Sequence, residues 1–358
     1  MRSLVISCVA LTCGGAERVI SILSTKLAEN YDSVKIVMWK DAPVFYDIDK
    51  KIEIISIETE INCSNYFKKI LWFRSFLKRN KPTLVLSFLA KSSVGVLLAS
   101  LGIKTKVIVA ERNDPRFLRG GRLMIVLRDF LYTFATGILE QTENSKNYFK
   151  GGKLKKTSVI YNPVFMDARY VGIASRIEKK KKIVSVGRLE PQKNHELLIR
   201  AFFKVHQLHP DYQLIIYGEG ECRANLKTLI TSLHLSDCVF LPGNQSNVFD
   251  LIKDASAFVM TSNFEGMPNA LIEAMCLGVP CISTKVAGAI DLIDHEKNGL
   301  LVDVGDESGI ASSLLLLLDK SCFANKLGMN SSAIYEELSI EKIFVKWIDY
   351  LKSIENTP

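Results

Sequence analysis

Both halves of the chain alternate short apolar runs with segments of helical periodicity, and this alternation constrains the fold most strongly. In the first half the runs lie at residues 4–9, 34–38, 51–55, 83–88, 106–110, 137–139 and 158–160. In the second half they lie at residues 183–186, 213–217, 238–241, 257–260, 279–283 and 300–302. Repeated strand–helix units are typical of parallel, doubly wound sheets. We therefore predict an α/β protein with two Rossmann-like domains facing an interdomain cleft.

A polar segment separates the two series of strands. Asn162-Pro163 ends the first series, and residues 177–182 form a charged run before the next predicted strand. A chain of 358 residues also exceeds the size at which one core usually stops growing. We expect an N-terminal domain over residues 1–165 and a C-terminal domain over residues 166–339.

The C-terminal segment, residues 340–356, has apolar side chains at helical spacing. They are Ile340, Phe344, Trp347 and Leu351. A helix with one apolar face needs a surface to pack against. We expect this helix to return to the first domain.

Charge is divided unevenly between the halves. The formal net charge is +8, but residues 1–165 hold 26 Lys and Arg against 14 Asp and Glu, whereas residues 183–358 hold 14 against 22. A basic first half indicates an anionic partner, either nucleic acid or an anionic membrane surface. Ordinary solvated lysines would give the same count.

The cysteine pattern and the hydropathy of the sequence indicate the cellular compartment in which the protein is expected. The eight cysteines include no C-x-x-C pair, and several lie inside apolar runs, which favours reduced core residues. The sequence opens on a strand pattern rather than a secretory signal, and its longest apolar stretches are much shorter than the roughly 20 residues of a membrane span. These features predict a cytoplasmic protein whose membrane contact is peripheral.

The segment 263–278 places two carboxylates around an expected phosphate site. It follows an apolar strand run, and Pro268 suits the first turn of a helix because its missing N–H is not needed there. A helix N-terminus attracts anions, so a diphosphate is expected over residues 266–270. Glu273, inside the helix, offers acceptor oxygens for paired sugar hydroxyls, and Glu265 could reach a second polyol. Either glutamate alone could also be an ordinary surface carboxylate.

Two cations follow another predicted strand. Gly187, Arg188 and Lys193 come after the run 183–186 and before a helix. Arg188 and Lys193 could neutralise a diphosphate leaving group as charge develops on it. Each could also be an ordinary surface charge.

Glycine turns follow two further strands. Gly218 lies in a tight turn that would allow a ligand to approach the backbone closely. Gly14 and Gly15 open a helix after the first strand but lack the full dinucleotide-binding fingerprint. A loop that contacts phosphate or sugar fits Gly14 and Gly15 better than a nicotinamide site. The five histidines form no metal-binding pattern, so no metal site is expected.

Together, these motifs resemble the family 4 retaining glycosyltransferases of the GT-B fold, of the bacterial surface-polysaccharide type. The motifs are Gly14 to Arg18, Gly187-Arg188, Lys193, Gly218-x-Gly220, and Glu265 to Glu273 continued by Gly278-x-Pro280. The resemblance implies a nucleotide-sugar donor, with Arg188 and Lys193 on its diphosphate. It further implies that Glu273 binds the ribose and Glu265 the transferred sugar. By the same resemblance, the N-terminal domain would bind the acceptor and the C-terminal domain the nucleotide sugar.

The resemblance also concerns the backbone and the cofactor. It implies that four consecutive residues hold sugar and phosphate: Gly266, Met267, Pro268 and Asn269. It implies no cofactor and no essential metal, since fixed cations and the helix dipole stabilise the leaving group.

One part of the sequence departs from the family pattern. Family members usually carry a histidine after an N-domain strand, but the first histidine of this chain is His195. The corresponding place holds Glu111-Arg112-Asn113-Asp114. Arg112 could stabilise negative charge, and Glu111 or Asp114 could position an acceptor hydroxyl. A structural turn at Asp114-Pro115 would explain part of the motif equally well.

A helix predicted over residues 65–80 gives the clearest indication of an acceptor surface. At 100° per residue, Tyr66, Ile70, Phe73 and Leu77 share one face, which should be core. The other face gathers Lys68, Lys69, Trp72, Phe76 and Arg79. Aromatic residues among cations suit an anionic membrane interface, although a neighbouring helix could instead bury Trp72 and Phe76. Basic charge nearby in sequence comes from Arg116, Arg119, Arg122 and Arg128.

These observations predict a retaining hexosyltransferase at the inner face of the cell membrane. Its donor would be a nucleotide sugar, expected to be UDP-linked, and its acceptor a polyprenyl-diphosphate-linked saccharide of a surface-polysaccharide pathway. A GT-B-like nucleotide-sugar epimerase is one alternative. A nucleic-acid-binding module is another, but it would not explain carboxylates at a phosphate-accepting helix, so no nucleic-acid partner is expected.

Overall fold

The computed structural model describes residues 2–12, 14–118, 121–173, 177–245 and 247–357. The chain divides into two compact units, the first comprising Met1–Pro163 with Ile340–Pro358 and the second Val164–Ser339. The boundary after Pro163 lies two residues before the one expected from the sequence. The acceptor-binding and donor-binding roles of the two domains stay predictions.

The first unit is built on a parallel sheet with a reversal of strand order in its centre. Its strands are β1 (Ser3–Cys8), β2 (Ser33–Met38), β3 (Glu53–Ser56), β4 (Leu84–Phe88), β5 (Lys106–Ala110), β6 (Gly137–Glu140) and β7 (Thr157–Val159). They lie in the order β3-β2-β1-β4-β5-β6-β7, and each neighbouring pair is parallel. β1 and β4 therefore flank the point at which the order reverses, where open α/β sheets commonly bind ligands.

Helices connect these strands and cover the sheet. They are α1 (Gly15–Leu27), α2 (Ile57–Ile61), α3 (Tyr66–Asn80), α4 (Ala90–Ser100), α5 (Gly121–Leu131), α6 (Glu143–Lys146) and α7 (Gly151–Lys155). A 3-10 turn, Tyr132–Phe134, continues from α5. Val5, Val85 and Val109, from three different strands, lie in one buried cluster with Phe73 of α3 and Leu97 of α4.

α3 begins where the sequence predicts, because the side chain of Asn65 accepts a hydrogen bond from the backbone N–H of Lys68. Its predicted cationic, aromatic face is wrong at two positions. Lys69 is only 6% exposed and Phe76 only 3%. Lys69 Nζ lies 2.6 Å from Glu58 Oε1 of α2 and 2.7 Å from the carbonyl oxygen of Trp39, so a carboxylate and a carbonyl draw this ammonium inward.

The remaining residues of that face differ in exposure. The Trp72 ring is half-buried and stacks on Phe76 at a centroid distance of 5.3 Å. Lys68 and Arg79 are exposed. A membrane contact through α3 would therefore lack Lys69 and Phe76, and the part left to Lys68, Trp72 and Arg79 stays a prediction.

Arg128 also differs from its expected position on a basic surface. Its side chain is fully buried, with Nη1 donating to the carbonyl oxygen of Pro115 at 2.8 Å and Nη2 to Asp129 Oδ1 at 2.8 Å. Arg116 and Arg122 are exposed, whereas Arg119 lies outside the described residues. The buried guanidinium serves as a structural tie between α5 and the segment before it.

The second unit repeats the arrangement. Its strands are β8 (Lys180–Val186), β9 (Gln213–Tyr217), β10 (Val239–Gly243), β11 (Ala255–Met260), β12 (Cys281–Thr284) and β13 (Leu300–Val302). They lie in the order β10-β9-β8-β11-β12-β13, again with parallel pairs. The order reverses between β8 and β11, where Val184 lies opposite Phe258. The predicted α/β class with two doubly wound parallel sheets is confirmed.

Helices of the second unit pack a large apolar core against this sheet. They are α8 (His195–His206), α9 (Arg223–Ser232), α10 (Val248–Ile252), α11 (Asn269–Cys276), α12 (Ala287–Leu292), α13 (Glu307–Asp319), α14 (Ser321–Ser332) and α15 (Ile334–Leu338). Phe202 of α8 and Leu314 of α13 are fully buried in that core.

The last helix, α16 (Ile340–Glu355), belongs to the first unit. Its buried residues are Ile343, Trp347 and Leu351. The Trp347 ring lies 6.2 Å from that of Phe88 at the end of β4. Helical amphipathicity thus places Trp347 and Leu351 inward, whereas Phe344 is only partly buried.

Candidate active site

Two loops of the second unit meet at the reversal of strand order. One loop follows β8 and the other follows β11, and because these neighbouring strands are parallel, their carboxyl ends lie at the same edge of the sheet. The first loop carries Gly187, Arg188 and Lys193, and the second carries Glu265 and Gly266. This edge is where an open α/β sheet offers a ligand site.

An ion pair joins the two loops. Lys193 Nζ lies 2.5 Å from Glu265 Oε1, and Ser262 Oγ donates a hydrogen bond to the same carboxylate oxygen at 2.7 Å. Glu265 is buried and Lys193 is mostly buried. Desolvation strengthens such a charge-assisted contact, and the Ser262 hydroxyl fixes the carboxylate further.

Backbone contacts hold the same loops together. The N–H of Asn263 donates to the carbonyl oxygen of Gln192 at 2.8 Å, and Gln192 Nε2 donates to the carbonyl oxygen of Phe264 at 2.9 Å. Thr261 Oγ1 donates to the carbonyl oxygen of Lys193 at 3.1 Å. The Lys193–Glu265 pair is therefore set in a framework that orders both loops.

The Gly218 turn packs directly on the first loop. Gly218 has φ of 144°, and a Cβ there would lie 1.9 Å from the carbonyl oxygen of Gly187. A Cβ on Gly187 would in turn lie 3.2 Å from Cδ of Lys193. The structure thus packs the Gly218 turn against the loop that carries Gly187 and Lys193, with the stem of Lys193 lying over the Gly187 backbone.

α11 starts one residue later than its predicted position. Pro268 is the N-cap rather than a member of the first turn, since its ψ of 97° is extended. Pro268 has no side-chain oxygen that could accept from the first N–H groups of the helix. Asn269 opens the helix, and Glu273, one turn further on, is buried.

A glycine that the sequence analysis did not select supports this helix start. A Cβ on Gly288, in α12, would lie 2.2 Å from the carbonyl oxygen of Gly266 and 2.5 Å from Cδ of Pro268. Gly288 therefore packs closely against the loop that contains Met267. No local pattern around Gly288 indicates this contact, because it depends on the packing of two separate elements.

Arg188, unlike Lys193 and Glu265, is exposed. Its Nη1 lies 2.7 Å from Glu190 Oε1, two residues away. An exposed pair of this kind is weak and readily exchanged for another anion. Arg188 is thus accessible from solvent, whereas Lys193 is held by a buried carboxylate. The predicted contact of both cations with a diphosphate stays a prediction.

His195 is a second residue that the sequence analysis did not select. It opens α8 directly after Asn194, whose side chain caps the helix by accepting from the N–H of Leu197. Its ring is buried beside the backbone of Gly187 and Arg188, and burial lowers its pKa from 6.5 to about 4. His195 is therefore a neutral imidazole at pH 7.

Gly14 and Gly15, predicted to contact the donor, lie in the first unit after β1. Gly14 is the N-cap of α1, and its carbonyl oxygen accepts a hydrogen bond from the Tyr46 hydroxyl at 3.1 Å. A Cβ on Gly14 would lie 2.3 Å from Glu17 Oε2. The neighbouring atom is the end of a flexible side chain and Gly14 has an extended φ of −165°, so this contact does not by itself demand glycine. A contact of Gly14 or Gly15 with a donor stays a prediction.

Arg112 lies in the first unit as well, directly after β5. Its guanidinium is buried, donates from Nη1 to Asn162 Oδ1 at 2.8 Å, and lies over the rings of Phe88 and Trp347 at 4.8 and 5.6 Å. Burial lowers its pKa to about 9. Among the described residues, its buried Nε and Nη2 atoms have no hydrogen-bond partner. The predicted role of Arg112 in stabilising negative charge stays a prediction.

The neighbours of Arg112 are engaged in the interior of the same unit. Glu111 accepts a hydrogen bond from the Tyr132 hydroxyl, and burial raises the pKa of this carboxyl. Asp114 is buried and pairs with Arg116 at 2.7 Å. These contacts give Glu111 and Asp114 structural roles, and their predicted role toward an acceptor hydroxyl stays untested.

Comparisons with known proteins identify the class of enzyme. Residues 172–333 match the family model described as "Glycosyl transferases group 1". A Campylobacter jejuni relative is 27% identical over 354 residues and covers 97% of each chain. It is the GalNAc-alpha-(1->4)-GalNAc-alpha-(1->3)-diNAcBac-PP-undecaprenol alpha-1,4-N-acetyl-D-galactosaminyltransferase. The chain is a glycosyltransferase.

Two further comparisons concern this glycosyltransferase. The Escherichia coli UDP-Gal:alpha-D-GlcNAc-diphosphoundecaprenol alpha-1,3-galactosyltransferase is 30% identical over 177 residues, 46% of each chain. Anabaena HepE, solved in complex with UDP-glucose, superposes with a TM-score of 0.79 at 18% identity, covering 99% of this chain and 100% of the other. The structural likeness shows that the glycosyltransferase has the GT-B fold.

The first unit of the glycosyltransferase contains a cavity of about 360 Å³ near the carboxyl ends of β1 and β2. Its lining includes Lys40, Lys69, Lys91, Tyr66 and Met124. Glu58 offsets one of the three ammonium groups through its ion pair with Lys69. The cavity is thus cationic and large enough for a phosphate or a sugar ring.

Within the described ranges, no helix of the glycosyltransferase is both long and apolar enough to cross a membrane. The same residues include no group of three or more His, Cys, Asp or Glu side chains suited to a metal ion. The expected independence from a metal stays a prediction.

Proposed function

We propose that the glycosyltransferase moves a sugar from a UDP-sugar to a saccharide carried on polyprenyl diphosphate, with retention of configuration, during surface-polysaccharide biosynthesis. The observation that carries this proposal is the Lys193–Glu265 pair, which joins two loops beside the start of α11. A cation and a carboxylate in contact suit a ligand that has an anionic diphosphate next to a polyhydroxylated ring.

The donor half of the proposal assigns each polar group a part of the nucleotide sugar. Arg188 and Lys193 bind the diphosphate together with the N–H groups at the start of α11. Glu273 accepts hydrogen bonds from the ribose hydroxyls, and Glu265 from the transferred sugar. The names of the E. coli relative and of the HepE complex, both of which include UDP, support a uridine donor.

The proposed reaction exchanges one bond at the anomeric carbon for another. The bond from the anomeric carbon to the β-phosphate oxygen breaks, and a bond to the acceptor hydroxyl oxygen forms on the same face of the sugar. The acceptor proton passes to the departing diphosphate, so the products are UDP and the new glycoside. Arg188 and Lys193 stabilise the charge that develops on the diphosphate, which is the kind of electrostatic stabilisation that lowers such barriers most.

The acceptor half of the proposal places the lipid-linked saccharide on the first unit. The relatives from C. jejuni and E. coli are named for undecaprenol-linked acceptors that carry a diphosphate. The cationic cavity lined by Lys40 and Lys91 would suit such a diphosphate. Arg112, whose buried guanidinium has spare donors, would stabilise negative charge nearby. A lipid acceptor also implies that the enzyme works at the inner face of the cell membrane.

A panel of UDP-, GDP- and ADP-sugars, offered with and without a polyprenyl-diphosphate-linked saccharide, tests this proposal. We expect one UDP-sugar to be consumed rapidly only with acceptor, to give a product with the anomeric configuration of the donor, and to react equally in the presence of a chelator. An epimer formed from the UDP-sugar alone, or transfer with inversion, would contradict the proposal.

Substituting the exposed cation examines the diphosphate assignment. Arg188→Ala should weaken UDP binding by roughly tenfold, since a charged hydrogen bond is worth about 1.5–3 kcal/mol and part of that is screened at an exposed site. Arg200→Ala is the matched control, because Arg200 is also exposed and also pairs with a nearby carboxylate, Glu196. Equal UDP affinities for both variants would refute the role of Arg188.

A further inference from the structure

α5 turns a row of large apolar side chains toward solvent. Leu123 is 82% exposed, Val126 65% and Phe130 61%, and Leu127 is also exposed. At 100° per residue, these four side chains fall within an arc of about 100°. The row continues into the 3-10 turn, where the exposed Phe134 ring packs edge-on against Phe130 at 5.6 Å. We call these five residues the α5 stripe.

The rest of α5 is anchored to the first unit. Leu131 and Arg128 are buried, and Arg128 is tied to the carbonyl oxygen of Pro115. The helix therefore has a defined inner face, and the α5 stripe is its outer face. Contiguous exposed apolar patches of this kind mark interaction surfaces rather than ordinary solvent-facing residues.

The segment that contains the α5 stripe is rich in basic residues. Residues 121–156 hold seven Lys and Arg against three Asp and Glu. Glu140 is buried and Asp129 is held by Arg128, so two of the three acids are engaged in the interior or along the helix. Arg122 lies at the start of the helix and is exposed, as is Lys155 of α7.

α7 brings its lysines to the end of the stripe. Lys153 Nζ donates to the carbonyl oxygen of Asp129 at 2.9 Å, and Lys156 Nζ to that of Ala135 at 2.6 Å. These contacts hold α7 against the last turn of α5. An exposed apolar stripe with cations along its border is complementary to a bilayer that has anionic headgroups.

We propose that the α5 stripe docks the enzyme on an anionic lipid bilayer, with the apolar side chains at the boundary of headgroups and acyl chains and with Arg122 and Lys155 among the headgroups. This surface is distinct from the α3 face predicted from the sequence, in which Lys69 and Phe76 are buried. The proposal rests on the proposed function for its biological purpose, because a lipid-linked acceptor requires an enzyme at the bilayer.

The position of α5 also relates the bilayer to the cationic cavity. Met124, the residue after Leu123, lines that cavity together with Lys40 and Lys91. Docking through the α5 stripe would therefore bring the cavity to the level of the headgroups, where the diphosphate of a polyprenyl lipid lies. The occupant of the stripe is a lipid surface rather than a second copy of the chain, because two copies would bring the basic borders together.

Sedimentation with vesicles tests the proposal on the full chain. We expect the enzyme to bind vesicles of phosphatidylcholine with 30% phosphatidylglycerol, and to bind pure phosphatidylcholine vesicles weakly. The double variant Leu123→Ser/Phe130→Ser should lower the partition coefficient at least about tenfold. Leu208→Ser/Met329→Ser is the matched control, because these side chains of the second unit are 67% and 59% exposed and should not contact lipid.

A charge-reversal variant and a mass measurement complete the experiment. Arg122→Glu/Lys155→Glu should reduce binding to anionic vesicles and leave binding to pure phosphatidylcholine unchanged. Wild-type binding by the Leu123→Ser/Phe130→Ser variant would overturn the proposal. It would also be overturned by a wild-type dimer in light scattering that becomes monomeric in this variant, since the stripe would then hold a second copy.

UDP affinity, measured on the same variants, separates this proposal from the proposed function. The α5 variants should bind UDP as the wild type does, which also shows that they are folded. Vesicle binding that depends on the stripe supports docking whether or not UDP binds. If the wild-type enzyme does not bind UDP, this result contradicts only the proposed function.

Discussion

Lys193 and Glu265 are in direct contact, with Nζ 2.5 Å from Oε1, although 71 positions of sequence lie between them. The pair connects the loop after β8 to the loop after β11 at the centre of the second sheet. In the proposed complex Lys193 faces the diphosphate and Glu265 the transferred sugar, so the bond that breaks would lie beside this pair. The following predictions depend on that arrangement.

Removing the cation should affect both binding and reaction. Lys193→Ala deletes a charge that is proposed to stabilise the leaving group, so we expect kcat to fall by about two orders of magnitude and UDP to bind roughly tenfold more weakly. Steady-state kinetics and calorimetry provide these quantities. Lys204→Ala is the control, because Lys204 forms an exposed pair with Glu307 in the same unit. A Lys193→Ala enzyme with wild-type kcat would contradict the leaving-group role.

Neutralising the carboxylate should affect the reaction more than nucleotide binding. Glu265→Gln keeps the size of the side chain but replaces the charged group that is proposed to accept hydrogen bonds from the sugar hydroxyls, so kcat with the UDP-sugar should fall about a hundredfold. The dissociation constant of UDP, which lacks the sugar, should remain within about twofold. Glu307→Gln serves as the control. The assignment of Glu265 to the sugar fails if UDP affinity falls as much as kcat does.

A single methyl group on Gly288 should displace the loop before α11. Gly288→Ala places a Cβ 2.2 Å from the carbonyl oxygen of Gly266, so the loop before α11 must move. Overpacking of this kind costs about 1–3 kcal/mol of the free energy of unfolding, and UDP binding should weaken as well. Urea denaturation and calorimetry measure both effects. Gly152→Ala is the control, since a Cβ there meets no described atom within 4 Å, and equal behaviour of the two variants would contradict the close packing.

His195 should make the enzyme sensitive to acid. Its pKa is about 4 in the folded state against 6.5 when exposed, so between these values the unfolded chain binds more protons and the free energy of unfolding falls as pH falls. From pH 7 to pH 5 this single group should lower the free energy of unfolding by about 2 kcal/mol. Above pH 6.5 the effect disappears.

A non-titrating residue should remove that sensitivity. For His195→Gln, the decline in the free energy of unfolding between pH 7 and pH 5, measured by urea denaturation, should be smaller by about 2 kcal/mol. His234→Asn is the control, because His234 is exposed and its positive φ of 57° is one that asparagine tolerates. An unchanged pH dependence in His195→Gln would show that the imidazole is not the sensitive group.

The strands of both sheets can be predicted from the sequence, and so can the residues that the second unit contributes to the candidate site. The buried parallel strands contain short apolar runs, as in Leu84–Phe88 and Ala255–Met260, so their positions are visible locally, and the residues that follow such strands meet at one edge. The order of strands and loops along the chain is therefore sufficient to group Gly187, Lys193 and Glu265. It also indicates the helix that carries Glu273, with its start displaced by one residue because Pro268 is extended.

Contacts between separate elements could not be predicted in the same way. Lys69 has the spacing of an exposed residue, but Glu58 of α2 supplies a buried partner that the periodicity of α3 does not reveal. Gly288 resembles any helical glycine until its distance to Gly266 is known. The α5 stripe is apolar at core spacing, and only the structure shows that its side chains face solvent.

The affinity of Glu273→Ala for UDP, measured by isothermal titration calorimetry, tests the central claim most directly. If a nucleotide docks at the start of α11 with its ribose on Glu273, this variant should bind UDP about 10–100-fold more weakly, as expected for the loss of charged hydrogen bonds. Glu336→Ala, at an exposed position of α15, should bind as the wild type does. Equal UDP affinities for wild type, Glu273→Ala and Glu336→Ala would contradict a nucleotide-sugar site at this helix.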